Sequence, residues 1–257
     1  MGWLEALAIV IAGMAAGTIN TVVGSGTLIT FPTLLALGYP PVVANISNNV
    51  GLVPGGVSGT WGYRRELSGQ GRRVLALAPM SLIGSVAGAL LLLVLPAETF
   101  SAIVPVLLAI SVVLVLLQPR MQAKVAERRA RPGYSARRSS GAVVPAGVLG
   151  AGMYGGYFGA AQGVLLIGLL GTLLPEPLQR VNALKNLLSL VVNSVAAVTF
   201  AVVAFDRINW AVAGLIALGS LLGGVIGAHV GRRLPAPVLR AVIVVVGVVA
   251  IVKILTS

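Results

Sequence analysis

The chain of 257 residues is 57% hydrophobic and only 9% charged; a soluble domain carries roughly a quarter charged residues, so an ordinary soluble globule is excluded. Cys is absent, which excludes disulfides, thiolate metal sites and thiol redox chemistry. The formal net charge of +12 comes mostly from Lys and Arg in two loops beside apolar segments, a topology-setting pattern rather than the basic stripe of a nucleic-acid binder.

The N-terminus carries Glu5 and has no Lys or Arg before its apolar run. A secretory signal needs a basic leading region, so the run reads as a first membrane segment. Met1-Gly2 lacks the later Ser or Thr that myristoylation prefers. Apolar segments follow at about 4–23, 26–38, 42–62, 73–95, 99–117, 142–160, 163–175, 178–205, 208–231 and 236–255. Most reach the ~20 residues that span a bilayer. The segments 26–38 and 163–175 are short, and each follows a longer one across a break, Gly24-Ser25-Gly26 or Ala161-Gln162-Gly163. Short or Gly-interrupted segments at matching positions in two halves point to a transport site.

The halves match. An ungapped offset of 137 pairs Gly13 with Gly150, Gly26 with Gly163, Pro40 with Pro177, Asn45 with Asn182 and Asn49 with Asn186, and sets Lys185 opposite Asn48. Further on, an offset of 139 pairs Ser81-Leu82-Ile83-Gly84 with Ser220-Leu221-Leu222-Gly223, and Leu95-Pro96-Ala97 with Leu234-Pro235-Ala236. The reading is a duplication of about 115 residues: a first membrane repeat at 1–117, a basic cytoplasmic linker at 118–140 and a second repeat at 141–257.

Arg64, Arg65, Arg72 and Arg73 form one basic loop; Arg120, Lys124, Arg128, Arg129, Arg131, Arg137 and Arg138 lie in the linker. Both are expected in the cytoplasm. The basic residues change ends between the halves: Phe205 to Asn209 carries no excess, while Arg232 and Arg233 precede Leu234. That is the pattern of inverted topology, with an odd number of crossings per repeat and both termini extracytoplasmic. Whether the first two segments of each half cross or re-enter stays open. The linker, with Pro132-Gly133 and Ser139-Ser140, reads as a partly disordered loop. The fold class is thus an all-α integral membrane protein of two inverted-topology repeats, each of about five hydrophobic segments, with short broken or re-entrant segments.

Polar residues inside the greasy segments carry the chemistry. Asn182, Lys185 and Asn186 stand at i, i+3 and i+4 and share one helix face, which Ser189 and Asn193 continue. An ammonium at membrane depth costs roughly 2.5–3.5 kcal/mol on the insertion scale unless it faces protein or water. Asn45, Asn48 and Asn49 repeat the same face in the first half. A lone Asn more often joins helices by hydrogen bonding; matched polar residues, one of them cationic, favour a shared cavity. Amide N–H groups and an ammonium are donors suited to an oxyanion. The breaks add Asn20, Ser25 and Gly26 in one half and Tyr154, Tyr157, Gln162 and Gly163 in the other. None of the six acids lies clearly mid-membrane, which argues against a carboxylate proton relay. The ladder Gly219, Gly223, Gly227 and Gly231 reads as helix packing, within the subunit or in a homodimer.

Those motifs resemble the TauE/SafE family of sulfite exporters. The likeness rests on Gly13 to Gly26 with Phe31-Pro32, Gly38-Tyr39-Pro40, the Ala44-Asn45 to Asn49 helix, and the second-half echo Gly152-Met153-Tyr154-Gly155-Gly156-Tyr157-Phe158-Gly159 through Val181 to Asn186. Two departures are Gly24-Ser25-Gly26, where many members have a longer glycine run, and Asn45, where Thr is common. The resemblance implies movement of sulfite, sulfonates or related small anions across the bacterial inner membrane. The expected substrate contacts are Asn20, Ser25, Gly26, Asn45, Asn48, Asn49, Tyr154, Tyr157, Gln162, Gly163, Asn182, Lys185, Asn186 and Asn193. The expectation is therefore a multi-pass inner-membrane secondary transporter or facilitator, working by alternating access and not an enzyme. Its partners would be a small anionic substrate and the lipid bilayer, with no cofactor, metal or nucleic acid. Two rival readings are a non-transporting membrane scaffold or assembly protein, and an anion channel.

Overall fold

The computed structural model describes residues 1–130, 141–229 and 236–256, and these are all-α. The helices are α1 (Trp3–Val22), α2 (Thr27–Ala36), α3 (Pro41–Gly62), a short α4 (Arg64–Leu67), α5 (Gly71–Val94), α6 (Ala97–Ala130), α7 (Val143–Tyr157), α8 (Gln162–Leu173), α9 (Leu178–Val203), α10 (Trp210–His229) and α11 (Ala236–Thr256). By length and composition α1, α5, the Ala97–Lys124 part of α6, α9 and α10 qualify as membrane spans. The helix α3 is long enough at 22 residues, but its asparagines and glycines keep it out of that set.

Local chemistry sets the boundaries. Pro41 opens α3 and Pro177 caps α9, positions where a missing N–H costs no helical bond. Gly24 and Gly159 end the first helix of each half with φ of +91° and +80°, a left-handed turn that glycine alone adopts freely. These two turns are 135 residues apart, not 137. The first helices therefore align two residues away from the ungapped pairing of Gly13 with Gly150, and the extra residues fall before α9.

The hairpins return to the face they start from. Tyr39, just after α2, donates its hydroxyl to Glu5 Oε1 at the start of α1 over 2.6 Å. Burial and the Glu5 carboxylate push the Tyr39 hydroxyl up to about 12, so it remains the donor at neutral pH. In the second half, Val144 and Val148 at the start of α7 share an apolar cluster with Leu170 and Leu174 at the end of α8.

Packing is exchanged between halves. The helix α10 lies on α1 and α3, and α5 lies on α7 and α9. Small residues permit the close approach. Gly17 faces the backbone of Ser220, and Gly156 faces that of Ser85. The ladder glycines Gly219, Gly223 and Gly227 are used on α1, against Val10, Met14 and Thr18 of the same chain; Gly231 lies outside the described residues.

One expectation is corrected. Residues 118–130 continue α6 as helix rather than forming a loop. At 34 residues that helix runs roughly 50 Å, longer than the ~30 Å hydrocarbon layer, so its basic end projects beyond it. Arg131, Pro132-Gly133, Arg137, Arg138, Ser139-Ser140, Arg232, Arg233 and Leu234-Pro235 lie outside the described residues.

Candidate functional site

The two breaks meet in the middle of the molecule. Gly163 N–H donates to the Gly24 carbonyl at 3.0 Å. A Cβ on Gly163 would stand 2.5 Å from Gly24 Cα and 3.0 Å from Lys185 Cδ. Glycine at both positions lets the backbones touch and lets the Lys185 stem pass alongside.

Every helix end leaves carbonyls without an intrahelical partner, and the breaks put such ends inside the protein. The polar face of α9 caps the end of α1. Lys185 Nζ donates to the carbonyls of Asn20 at 2.9 Å and Thr21 at 3.3 Å. Asn182 and Asn186 donate their Nδ2 groups to Thr21 O at 3.2 and 3.3 Å. From α6, Gln118 Nε2 donates to Val23 O at 3.2 Å. Lys185 is 0% exposed, its Nζ lies on carbonyl dipoles at the negative end of a helix, and no carboxylate is among its hydrogen-bond partners in the described residues.

The first half shows the reciprocal contact. Asn45 of α3 donates Nδ2 to Tyr157 O, the last carbonyl of α7, at 2.9 Å. Asn45 and Asn182, paired by sequence, thus each cap the broken helix of the opposite half. Asn48 differs from its counterpart Lys185. Its Nδ2 donates to Thr27 Oγ1 at 3.3 Å and its Oδ1 accepts from Thr30.

The orientation of these side chains leaves polar atoms over, amide oxygens among them. Asn45 Oδ1, Asn182 Oδ1, Asn49 Oδ1, Ser25 Oγ, Tyr157 OH and Gln162 Nε2 are buried without a protein partner among the described residues. Buried polar groups are ordinarily hydrogen-bonded, so each of these atoms has capacity left for a polar partner. Asn20, Thr21, Asn186, Ser189 and Asn193 line one small closed cavity with Gly56 and Gly59. It measures about 10 Å³, room for about one water. A substrate larger than water would enter this cavity only if the lining helices part.

Not every expected contact joins this centre. The Tyr154 hydroxyl turns to α6 and bonds Ser111 Oγ at 2.8 Å. Gly26 packs against the Ala16 carbonyl and Asn20 Cβ. Gln162 lies over Gly155. Conversely, Thr30 and Gln118 belong to the network although sequence reasoning passed over them. Thr30 was one hydroxyl in a short apolar run. Gln118 stood just before Pro119-Arg120, where the apolar segment looked finished.

A charged clasp closes the basic face. Glu176 Oε1 accepts from Arg73 of α5 at 2.5 Å, and Oε2 accepts from Arg180 Nε of α9 at 2.6 Å. Hydrogen bonding from Arg73, then from Arg180, holds the Glu176 carboxyl below its ordinary value against some desolvation. Gln70 Nε2 adds a bond to Arg180 O at 3.1 Å. The clasp ties the first half to the second.

Comparison with known proteins bears on this arrangement as a whole. A profile of the family described as "Sulfite exporter TauE/SafE" matches residues 9–254. The chain is 28% identical to a probable membrane transporter protein, YfcA, of Escherichia coli strain K12, over 94% of this chain and 86% of that protein. It is 28% identical to the probable membrane transporter protein ORF9 of a Sinorhizobium species, over 96% and 91% of the two chains. A probable membrane transporter protein of Haemophilus influenzae is 25% identical over 91% and 88%. No solved structure matches the chain.

Proposed function

The chain belongs to the sulfite exporter TauE/SafE family, and on that premise we propose that this membrane transporter carries a small anion, a sulfite, sulfonate or other sulfur-containing anion, across the bacterial inner membrane by alternating access. The observation that carries the reading is Lys185. It is a fully buried lysine whose Nζ has the carbonyls of Asn20 and Thr21 as its hydrogen-bond partners. A buried charge without a counter-ion is costly, and an oxyanion arriving at the break would supply one. The Ser25 hydroxyl is unpartnered, and the Asn182 and Asn186 amides, now on Thr21 O, would be released as further donors if α9 parted from α1.

The mechanism follows from the closed cavity. In this state Lys185 is parked on the end of α1. Opening to either side would let an anion exchange for those carbonyls at the ammonium. The pairing of Asn45 with Asn182 across the two breaks supports an inverted repeat, in which opening on one face mirrors opening on the other. The packed bodies are then α1–α3–α10 and α5–α7–α9, each drawn from both halves. The moving seam is α3 against α9, the two asparagine helices.

One observation favours a rival scaffold reading: most donors of the α9 face are already engaged by backbone carbonyls. An anion panel in a thermal-shift assay separates the two. A transported anion stabilises the purified protein by about 2.7 kcal/mol at a hundredfold excess over its Kd, and the shift is lost in Lys185→Met. A scaffold shows no anion-dependent shift with sulfite, taurine-type sulfonates, thiosulfate or carboxylates.

A further inference from the structure

Besides the central site, the structure has a groove on the basic face whose chemistry is that of a lipid site. It measures about 390 Å³ and lies between α3, α9 and α10. Val57, Leu190 and Val225 line it with apolar side chains, and Trp61, Arg64 and His229 line it as well. Trp61 is 68% exposed, the placement of an interfacial aromatic.

Arg64 is not a loose surface charge. Its guanidinium carbon lies 4.9 Å from the centre of the Trp61 ring, and NH1 donates to Trp61 O at 3.0 Å. Stacking and one hydrogen bond hold the planar fork over the groove, with its other N–H groups left for a ligand. His229 faces it from α10, its ring nitrogen bonded to Val225 O at 2.9 Å. Apolar side chains that accept hydrocarbon and a basic side chain that accepts phosphate together suit an anionic phospholipid.

We propose that this groove binds an anionic phospholipid, with an acyl chain along Val57, Leu190 and Val225 and the phosphodiester on Arg64. That apolar lining is shared by α3 and α9, the two helices on either side of the moving seam. A bound lipid would therefore bridge both bodies and favour the packing seen here.

Trp61 is its own reporter. In a Trp3→Phe/Trp210→Phe protein reconstituted in bilayers, brominated phosphatidylglycerol and brominated phosphatidylcholine are compared as quenchers at equal mole fraction. The basic Arg64 predicts about fivefold local enrichment of the anionic lipid, from about 1 kcal/mol per basic residue. Arg64→Gln should abolish the preference while leaving quenching by phosphatidylcholine intact, which also shows that the variant is folded. Equal quenching by the two lipids, or an undiminished preference in Arg64→Gln, would overturn the proposal. Displacement of the brominated lipid by inorganic phosphate would overturn it too, by assigning the site to a free anion.

Discussion

Lys185 reaches the end of α1 only because residue 163 has no side chain. Gly163→Ala places a methyl 2.5 Å from Gly24 Cα and 3.0 Å from the lysine stem. Overpacking of this kind costs about 1–3 kcal/mol, and it should lower both thermal stability and anion affinity. Lys185→Met keeps the stem and removes the ammonium. Thr21 O retains its bonds from Asn182 and Asn186, so the variant should fold, with a stability change within about 1–3 kcal/mol of wild type. Loss of folding in Lys185→Met would mean that the ammonium serves structure first. The candidate residues were legible as a donor set because their spacing puts them on one helix face. Their partners were not legible. They are main-chain carbonyls of a helix in the other half, exposed by a break whose geometry no local pattern reveals.

The hairpins and the clasp are properties of elements. Apolar run length located nearly every helix, since lipid requires long apolar runs and glycine and proline mark their ends. It failed where polarity misled: Arg120 and Lys124 suggested a loop, yet a helix leaving the bilayer accepts charge without unwinding. The offset of 137 failed at the first helices for a related reason. Glycine matches recur at several offsets in a glycine-rich chain, and only the left-handed turns at Gly24 and Gly159 separate them. The clasp yields a pH prediction. The Glu176 carboxyl is lowered in the folded state, mainly by the Arg73 hydrogen bond. Its contribution is therefore present above the unfolded value near 4.3 and lost as pH falls through the folded value. The side chains are 17–33% exposed, so the contribution is on the order of 1 kcal/mol or less. Melting temperature should fall on acidification below about pH 5 more steeply in wild type than in Glu176→Gln; parallel curves would remove the clasp from the stability account.

For the molecule as a whole, the exchange of α5 and α10 between halves changes what can move. A duplicated chain suggests two repeats rocking against each other. The packing instead joins α10 to α1 and α3, so the alternating-access cycle proposed above would move bodies that contain helices of both halves, with α3 sliding on α9. The chain has no Cys, which makes this testable by a single introduced pair. A Cβ at Gly56 would lie 3.6 Å from Leu190 Cβ across the seam, within the range of a disulfide. Gly56→Cys/Leu190→Cys should transport when reduced and stop when oxidised. Equal flux in both states would show that α3 and α9 do not part during the cycle.

Transport itself is tested most directly by sulfite and sulfonate uptake into proteoliposomes holding wild type or Lys185→Met. Saturable flux is predicted for wild type and flux at the empty-liposome level for the folded variant. Equal flux of every anion by the two proteins, or none by wild type, would contradict the account.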